Sequence, residues 1–196
     1  MEYTLRFFVF ISLVAVCFSQ VISFTGKCPK VYVQKDFSIE KYIGKWYEME
    51  RFFASFEAFH DCVTANYTLQ PGGVVKVNNT GYSHKFWDKG YTTAIGDAVA
   101  EDPNNPAKLG VRFSPRQPRG DYWVLSTDYN TYTVIWSCTD LPIPFLKANL
   151  QFAWILTRRP GGISTQKKER LYRLMEGYGI NTSKFSATNQ ENCPGR

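Results

Sequence analysis

The chain has 196 residues, of which 20% are charged, and a formal net charge of +6. That length is enough for one domain with a substantial core. The positive charge is modest and scattered, and no basic run is interleaved with stacking aromatics, which argues against a nucleic-acid-binding protein.

The N-terminal segment is apolar over residues 7–23 and follows a basic residue, Arg6. A basic start, an apolar middle and small residues near a cleavage site predict a secretory signal peptide over residues 1–23, cleaved after Ser19 or after Ser23. An uncleaved membrane anchor is the alternative, but the apolar stretch is short for one. The remaining chain, residues 24–196, is predicted to be a single secreted, extracellular domain.

Eight short runs of strand-like composition come next, separated by turn-forming groups such as Pro71-Gly72-Gly73 and Asp88-Lys89-Gly90. No helical pattern lies between them. The fold is therefore predicted to be all-β, either an up-and-down antiparallel barrel or a sandwich. The strands are predicted at 45–54, 62–70, 73–79, 90–99, 107–114, 121–128, 131–138 and 151–158.

The first predicted strand carries a tryptophan among charged residues. Its sequence IGKWYEMERF (residues 43–52) alternates roughly every second residue, as a half-buried strand does. Trp46 is predicted to be buried. The charged positions of the strand are predicted to face water, and these are Lys45, Glu48, Glu50 and Arg51.

Aromatic residues are concentrated in the last three predicted strands. In a hairpin, side chains alternate between the two faces, so Trp123 and Leu125 share one face and Tyr122 and Val124 share the other. Bulky residues inside an eight-stranded barrel either fill it or line a cavity for one small ligand, and composition does not decide between these. A second set on one face consists of Phe152, Trp154 and Leu156.

One helix is predicted after the strands. Ser164 is a suitable N-cap residue, and Gly177 or Gly179 can end the helix because glycine accepts the left-handed conformation. An apolar stripe predicts that the helix packs against the outside of the sheet. The stripe consists of Leu171, Leu174, Met175 and Tyr178.

The cysteines and glycosylation sequons fit a secreted protein. An even number of cysteines after the signal peptide predicts two disulfides whose pairing stays open. Because no C-x-x-C pair occurs, no metal site is predicted, and no cofactor is implied. The cysteines are Cys28, Cys62, Cys138 and Cys193. The predicted glycosylation sites are Asn66, Asn78 and Asn181.

Three short motifs resemble those of the lipocalin family. Gly44-Lys45-Trp46 is similar to its G-x-W motif, Thr127-Asp128-Tyr129 to its T-D-Y motif, and Arg158 to the arginine that packs over the tryptophan. Longer segments, including PAKLGVRF, YWVLSTDY and NCP, resemble the group of apolipoprotein D and the Lazarillo-type and bilin-binding lipocalins. The resemblance implies an eight-stranded up-and-down antiparallel β-barrel with one C-terminal α-helix packed outside.

The resemblance also implies details that the residue pattern left open. The expected disulfides become Cys28–Cys138 and Cys62–Cys193, and Trp46 is expected to seal the closed end beneath Arg158. The implied function is that of a monomeric carrier of a small hydrophobic ligand, such as a fatty acid, steroid, retinoid or bilin, held in an aromatic and uncharged pocket. Together with strand parity, it assigns the pocket wall to Tyr67, Trp123, Leu125, Phe152, Trp154 and Leu156.

Two other functions remain as alternatives. A few lipocalins are enzymes acting on a bound lipid, but the cysteines would be in disulfides and both histidines, His60 and His84, are predicted in surface loops, so no catalytic residue is predicted. The apolar segments 52–59 and 141–146 are expected at the open end of the barrel. They would either fold over the mouth as a lid or touch a membrane or lipoprotein surface.

Overall fold

The computed structural model describes residues 21–24, 26–145 and 147–195. Up to residue 20, the predicted signal peptide lies outside the described residues, as does Leu146 in the apolar segment 141–146. The last residues of the predicted signal peptide form a short strand, β1 (Val21–Ser23), which pairs with residues 149–151.

The main body is an antiparallel barrel of eight strands. Each strand pairs with the next along the chain, and β9 closes the barrel by pairing with β2. The predicted barrel is therefore confirmed, and the sandwich is wrong because closure leaves β2 and β9 paired with each other. The strands are β2 (Gly44–Phe52), β3 (His60–Leu69), β4 (Val75–Lys85), β5 (Asp88–Ala100), β6 (Lys108–Arg112), β7 (Gly120–Thr127), β8 (Tyr132–Leu141) and β9 (Ala148–Thr157).

The hairpin between β4 and β5 is longer than predicted. Asp88 and Lys89 belong to β5, and the turn contains only Phe86 and Trp87. A two-residue connection is typical of a tight hairpin. Extending both strands to this turn explains why a break predicted at Asp88–Gly90 is not observed.

Both histidines lie in strands, so their prediction as loop residues is wrong. His84 is near the end of β4, and its Nε2 lies 3.0 Å from Oδ2 of Asp61. His60 begins β3, and its ring forms a 3.1 Å hydrogen bond with the hydroxyl of Thr92. Within the described ranges, no three His, Cys, Asp or Glu side chains are grouped as metal ligands would be.

In the described part of the chain, two α-helices flank the barrel: α1 (Ile39–Tyr42) precedes β2, and α2 (Thr165–Gly177) follows β9. Helix α2 is the predicted one. The hydroxyl of Ser164 accepts a hydrogen bond from the Lys167 N–H at 3.3 Å, and Gly179, with φ +77°, follows the last turn. Neither described helix is long and apolar enough to cross a membrane.

Helix α2 packs on the outside of the barrel, as predicted. Its buried Leu171 and Met175 belong to an apolar cluster with outward-facing side chains of β2, β7, β8 and β9. That part of the sheet therefore has apolar side chains on both faces. The barrel side chains of this outer cluster are Phe52, Leu125, Val134, Trp136, Ala153 and Ile155.

The two disulfides are Cys28–Cys138 and Cys62–Cys193, which confirms the implied pairing. The second one fixes the C-terminal segment, which follows the short strand β10 (Phe185–Ala187). Strands β2 and β3 pair only near the closed end, and Gln190 bridges them above it. Its Nε2 donates to the carbonyls of Glu48 and Val63, both at 2.8 Å. The C-terminal segment thus completes the barrel wall.

A β-bulge in β2 changes which of its charged side chains face inward. The register with β9 shifts between Glu48 and Glu50, and such an extra residue moves the following side chains to the other face. Glu48 is buried inside the barrel, as is most of Arg51, whereas Glu50 lies under α2 and accepts a hydrogen bond from Tyr172 at 2.6 Å. The prediction that these residues face water is wrong for all but Lys45, which is exposed.

Candidate functional site

The closed end of the barrel is sealed by Trp46 and Arg158. Trp46 is fully buried, and its Nε1 donates to the carbonyl of Tyr42 at 2.9 Å. The Arg158 guanidinium lies 3.7 Å from the centre of the Trp46 ring. This guanidinium also donates to the carbonyls of Lys41, Tyr42 and Ile43 at the end of α1, which the helix itself leaves without partners.

Gly44 allows this approach. It has φ +94°, and a Cβ at this position would lie 3.3 Å from Nη1 of Arg158. A side chain here would be strained in its backbone and crowded against the guanidinium. The G-x-W glycine is therefore explained by the contact between Arg158 and Trp46.

The T-D-Y turn is held by its own side chains. The Asp128 carboxylate accepts hydrogen bonds from the backbone N–H groups of Thr131 and Tyr132 at 2.7 and 3.0 Å. Burial raises the pKa of Asp128, but these bonds and the side chains of Thr131 and Lys167 outweigh it and lower the pKa to about 2. Tyr129, with φ +63°, accepts a hydrogen bond from the Ser38 N–H on its hydroxyl. These contacts give the motif a structural role.

Above the closed end, three tyrosine hydroxyls form a chain inside the barrel. The Tyr122 hydroxyl lies 2.9 Å from that of Tyr42 and 2.8 Å from that of Tyr67. Burial raises the pKa of all three, that of Tyr42 to about 12, so they remain neutral hydrogen-bonding groups near neutral pH. Tyr67 faces the interior as predicted, whereas Tyr122 was not among the predicted wall residues.

The three residues predicted on β9 face the interior together. The rings of Phe152 and Trp154 stack with their centres 5.8 Å apart. Leu156 is buried in the interior cluster that also contains Trp46 and Tyr67. This strand therefore supplies a continuous apolar wall from the mouth to the closed end.

Trp123 and Leu125 face outward, which is contrary to their assignment to the pocket wall. Trp123 lies opposite Trp136 of the outer cluster, with the Lys108 ammonium 4.6 Å from its ring centre, and Leu125 packs beneath α2. The inner face of β7 carries Tyr122 and Val124 instead. The alternation of side chains along β7 correctly placed Trp123 and Leu125 on one face and Tyr122 and Val124 on the other. Because helix α2 makes the outer face apolar as well, the alternation did not show which face is inside.

The mouth loop, residues 53–59 between β2 and β3, covers part of the open end. Phe56 packs on Phe152 with ring centres 5.7 Å apart, and Oε2 of Glu57 accepts a hydrogen bond from Nε1 of Trp154 at 3.1 Å. Nη2 of Arg51 donates to the carbonyls of Glu57 and His60 at 3.0 and 3.1 Å. The lid alternative for this segment agrees with these contacts.

Charged groups inside the upper barrel were not predicted. Nη1 of Arg51 contacts Glu48 and donates to the Thr188 hydroxyl, which in turn donates to Glu48 at 2.5 Å. Burial raises the pKa of Glu57 to about 8; the negative charge of Glu48 adds to the increase, and Trp154 and Arg51 oppose it. The expectation of an uncharged pocket is therefore wrong. Since Glu48 is two residues after the inward-facing Trp46, strand alternation could have placed it inside. The bulge that turns Arg51 inward, however, has no evident sequence signal.

The rim of the open end is apolar. Large apolar side chains are exposed on each of its loops, between β2 and β3, β4 and β5, β6 and β7, and β8 and β9. Three lysines are close in sequence to these side chains, namely Lys85, Lys89 and Lys147. We call this set the rim; it consists of Phe53, Phe56, Phe59, Phe86, Trp87, Phe113, Ile143 and Phe145.

Comparison with known proteins identifies one family. Residues 37–190 match the family model described as a lipocalin-like domain. Mouse (Mus musculus) apolipoprotein D is 38% identical over 169 residues, which cover 86% of this chain and 85% of that protein. The Lazarillo protein of Schistocerca americana is 30% identical over 158 residues, or 79% of this chain and 71% of that one. The structure of insecticyanin from the tobacco hornworm Manduca sexta has a TM-score of 0.73 at 25% identity, covering 88% and 90% of the two chains.

Proposed function

Because the chain belongs to the lipocalin family, we propose that it is a secreted carrier that binds a small hydrophobic molecule inside the barrel. The observation that supports this best is the incomplete packing of the interior. Tyr122, Phe152 and Trp154 point inward, yet all three are only partly buried. A concave, mostly apolar space with a few polar groups is typical of a ligand site.

The ligand classes proposed are those of the sequence analysis: fatty acids, steroids, retinoids and bilins. Each has a rigid or extended apolar body that suits a deep barrel with aromatic walls. An enzyme function has less support, because Cys28, Cys62, Cys138 and Cys193 are in disulfides and so provide no thiol nucleophile.

Trp154 should be a ligand contact and Trp123 should not. Titration with retinoic acid, progesterone, arachidonic acid and biliverdin should quench tryptophan fluorescence saturably for at least one of them. Trp154→Ala should then weaken binding of that ligand by about 1–3 kcal/mol, the range for burying a large apolar side chain. Calorimetric titration measures the affinities of the variants without depending on the removed fluorophore.

Trp123→Ala is the matched control, since it removes the same side chain from the outer face. Its affinity should stay within about twofold of the parent. If no ligand of the panel binds, the carrier function is wrong. If Trp123→Ala weakens binding as much as Trp154→Ala does, the ligand is not held against the inner face of β9.

A second function, docking of the open end on a membrane, is favoured by the rim. Phe86 and Trp87 form the tip of the β4–β5 hairpin and are 97% and 81% exposed, and Phe145 is also fully exposed. Exposed apolar patches of this kind are typical of interaction surfaces. Aromatic side chains with lysines beside them suit the interface of an anionic bilayer. Such docking would place the mouth against the phase that contains apolar ligands.

Ligand-free protein should float with vesicles of phosphatidylcholine containing phosphatidylserine. The double variant Phe86→Ser/Trp87→Ser should lose most of this binding, because it removes the apolar tip without touching the barrel interior. Tyr32→Ser is the control, since Tyr32 is 79% exposed but packs beside Tyr178, after α2, and not at the rim. Equal flotation of all three proteins, or no flotation of the parent, would contradict membrane docking through the rim.

Secretion is supported by the two disulfides, which are typical of oxidising compartments. Asn66 and Asn78 lie opposite each other on the outer face of β3 and β4, and Asn181 is exposed, so attached glycans would extend into solvent. Cleavage after Ser19 would leave β1 in the mature protein, whereas cleavage after Ser23 would remove it. We therefore favour cleavage after Ser19.

A further inference from the structure

Arg51, whose guanidinium lies inside the barrel, already has protein partners for both of its terminal nitrogens. Nη1 of Arg51 donates to Glu48 and Thr188, and Nη2 donates to the carbonyls of Glu57 and His60. A guanidinium binds a carboxylate most strongly through two parallel N–H groups. Arg51 could offer such a pair to a ligand only by giving up contacts that hold the mouth loop and the C-terminal segment.

Hydrogen-bond acceptors, in contrast, have capacity left. Oε2 of Glu57 accepts one bond from Trp154, and a carboxyl group can accept several. Asn79 alternates with the buried Val75 and Val77 on the inner face of β4, and its Oδ1 is buried without a partner among the described residues. The interior can therefore accept hydrogen bonds more readily than it can donate charged ones.

The balance of charge in the interior also disfavours a carboxylate ligand. Glu48 and Glu57 provide two carboxyl groups near one guanidinium, that of Arg51, and both carboxyl groups also act on the neighbouring Tyr67 hydroxyl. His60, next to the mouth loop, has its Nε2 bonded to Thr92 and its Nδ1 without a described partner. Once Glu57 is ionised, a carboxylate ligand would bring a further negative charge close to it, and at low dielectric that repulsion is strong.

We propose that the barrel prefers amphiphiles whose polar end is an uncharged hydroxyl group to the matching carboxylates, and that Glu57 is the specificity-determining residue. The hydroxyl donates a hydrogen bond to Glu57 at the mouth, while the apolar body lies along Phe152, Trp154 and Leu156. This selectivity rests on the proposed carrier function. The selectivity concerns the polar end of the ligand, whose chemistry the apolar walls do not determine.

The test uses two matched pairs of probes, retinol with retinoic acid and arachidonyl alcohol with arachidonic acid, titrated at pH 7 and pH 9. The acids are ionised at both pH values, whereas Glu57, with its pKa raised to about 8, passes from mostly protonated to mostly ionised. The dissociation constant of an acid should rise by about tenfold between pH 7 and pH 9, and that of its alcohol should change by less than about twofold.

Glu57→Gln identifies the responsible group. Glutamine keeps an oxygen that can accept the Trp154 hydrogen bond but cannot ionise, so the acids should lose their pH dependence and approach the alcohols in affinity. Glu169→Gln, on the exposed face of α2, is the matched control and should behave like the parent. Circular dichroism and thermal melting of each variant show that the fold is retained.

The outcomes separate this proposal from the carrier function. Binding of alcohols and acids with equal affinity at pH 9 would overturn the selectivity and leave the carrier function intact. A pH dependence that persists in Glu57→Gln would assign the effect to another group and overturn the role of Glu57. Absence of binding by all four probes, together with the negative result of the wider panel, would overturn both.

Discussion

Replacement of Trp46 by alanine should lower the free energy of unfolding by about 3–5 kcal/mol, the usual cost of removing a large buried aromatic side chain. Trp46 has no exposed surface, packs against Tyr42 with ring centres 5.3 Å apart, and supports the guanidinium of Arg158. The substitution would leave a cavity at the closed end, where α1, β2 and β9 meet. Guanidinium chloride unfolding followed by circular dichroism measures the loss.

Arg158→Ala should also destabilise the fold, though by less. The cation–π contact is worth about 1–2 kcal/mol at a partly desolvated site. The carbonyls of Lys41 and Ile43 would lose the donor that Arg158 provides, whereas the Tyr42 carbonyl would keep the indole N–H of Trp46. Because Trp46 and Arg158 contact each other, the double variant should lose less than the sum of the single losses.

The same variants should leave the order of ligand affinities unchanged, since Trp46 seals the barrel and is not part of the proposed wall. Trp123→Ala, which removes a partly exposed tryptophan from the outer face, is the control for the effect of losing an indole. A Trp46→Ala protein that unfolds like the parent but no longer binds ligand would show that Trp46 is a ligand contact and not a structural plug.

Removal of the Cys62–Cys193 disulfide by double replacement with serine should lower the free energy of unfolding by up to about 4–5 kcal/mol in the chain-entropy model, in which long loops gain most. The bridge spans 131 residues of sequence. It also holds Thr188 and Gln190 in the wall between β2 and β3, beside Glu48. We therefore expect ligand binding to weaken together with stability, as measured by thermal melting and calorimetric titration.

Loss of Cys28–Cys138 is the comparison, because that bridge spans a similar 110 residues but fixes the N-terminal segment. Its removal should lower stability by a similar amount and affect binding less. Peptide mapping of the unreduced parent should recover both linked pairs. If the two double variants lose binding equally, the C-terminal segment has no special part in the cavity.

The strand pattern was predictable because each strand carries its own local signals. Turn residues mark most strand ends, and the run FAWIL placed Phe152, Trp154 and Leu156 on one face, as the structure has them. The helix was predictable for the same reason, since Ser164 and Gly179 mark its ends. The disulfide pairing was not in the spacing of the cysteines and came from the lipocalin resemblance.

The face of β7 could not be predicted from the strand itself. Alternation separates Trp123 and Leu125 from Tyr122 and Val124, but it identifies the inside only when one face is polar. Helix α2 covers the outer face with Leu171 and Met175, so both faces of β7 are largely apolar. The position of a distant helix thus decided which aromatic residues line the interior.

By itself, the sequence determined the order of the eight barrel strands and the position of the helix, because these depend on local pattern. Through the lipocalin resemblance, short motifs also pointed to Trp46 and Arg158 as the seal of the closed end. Only the tertiary structure decided the chemistry of the interior. The bulge beside Glu48 turns Arg51 inward, and the mouth loop brings Glu57 to Trp154 across 97 residues of sequence. Charges buried by such long-range contacts leave no periodic signal, since their environment is made by segments far apart in the chain.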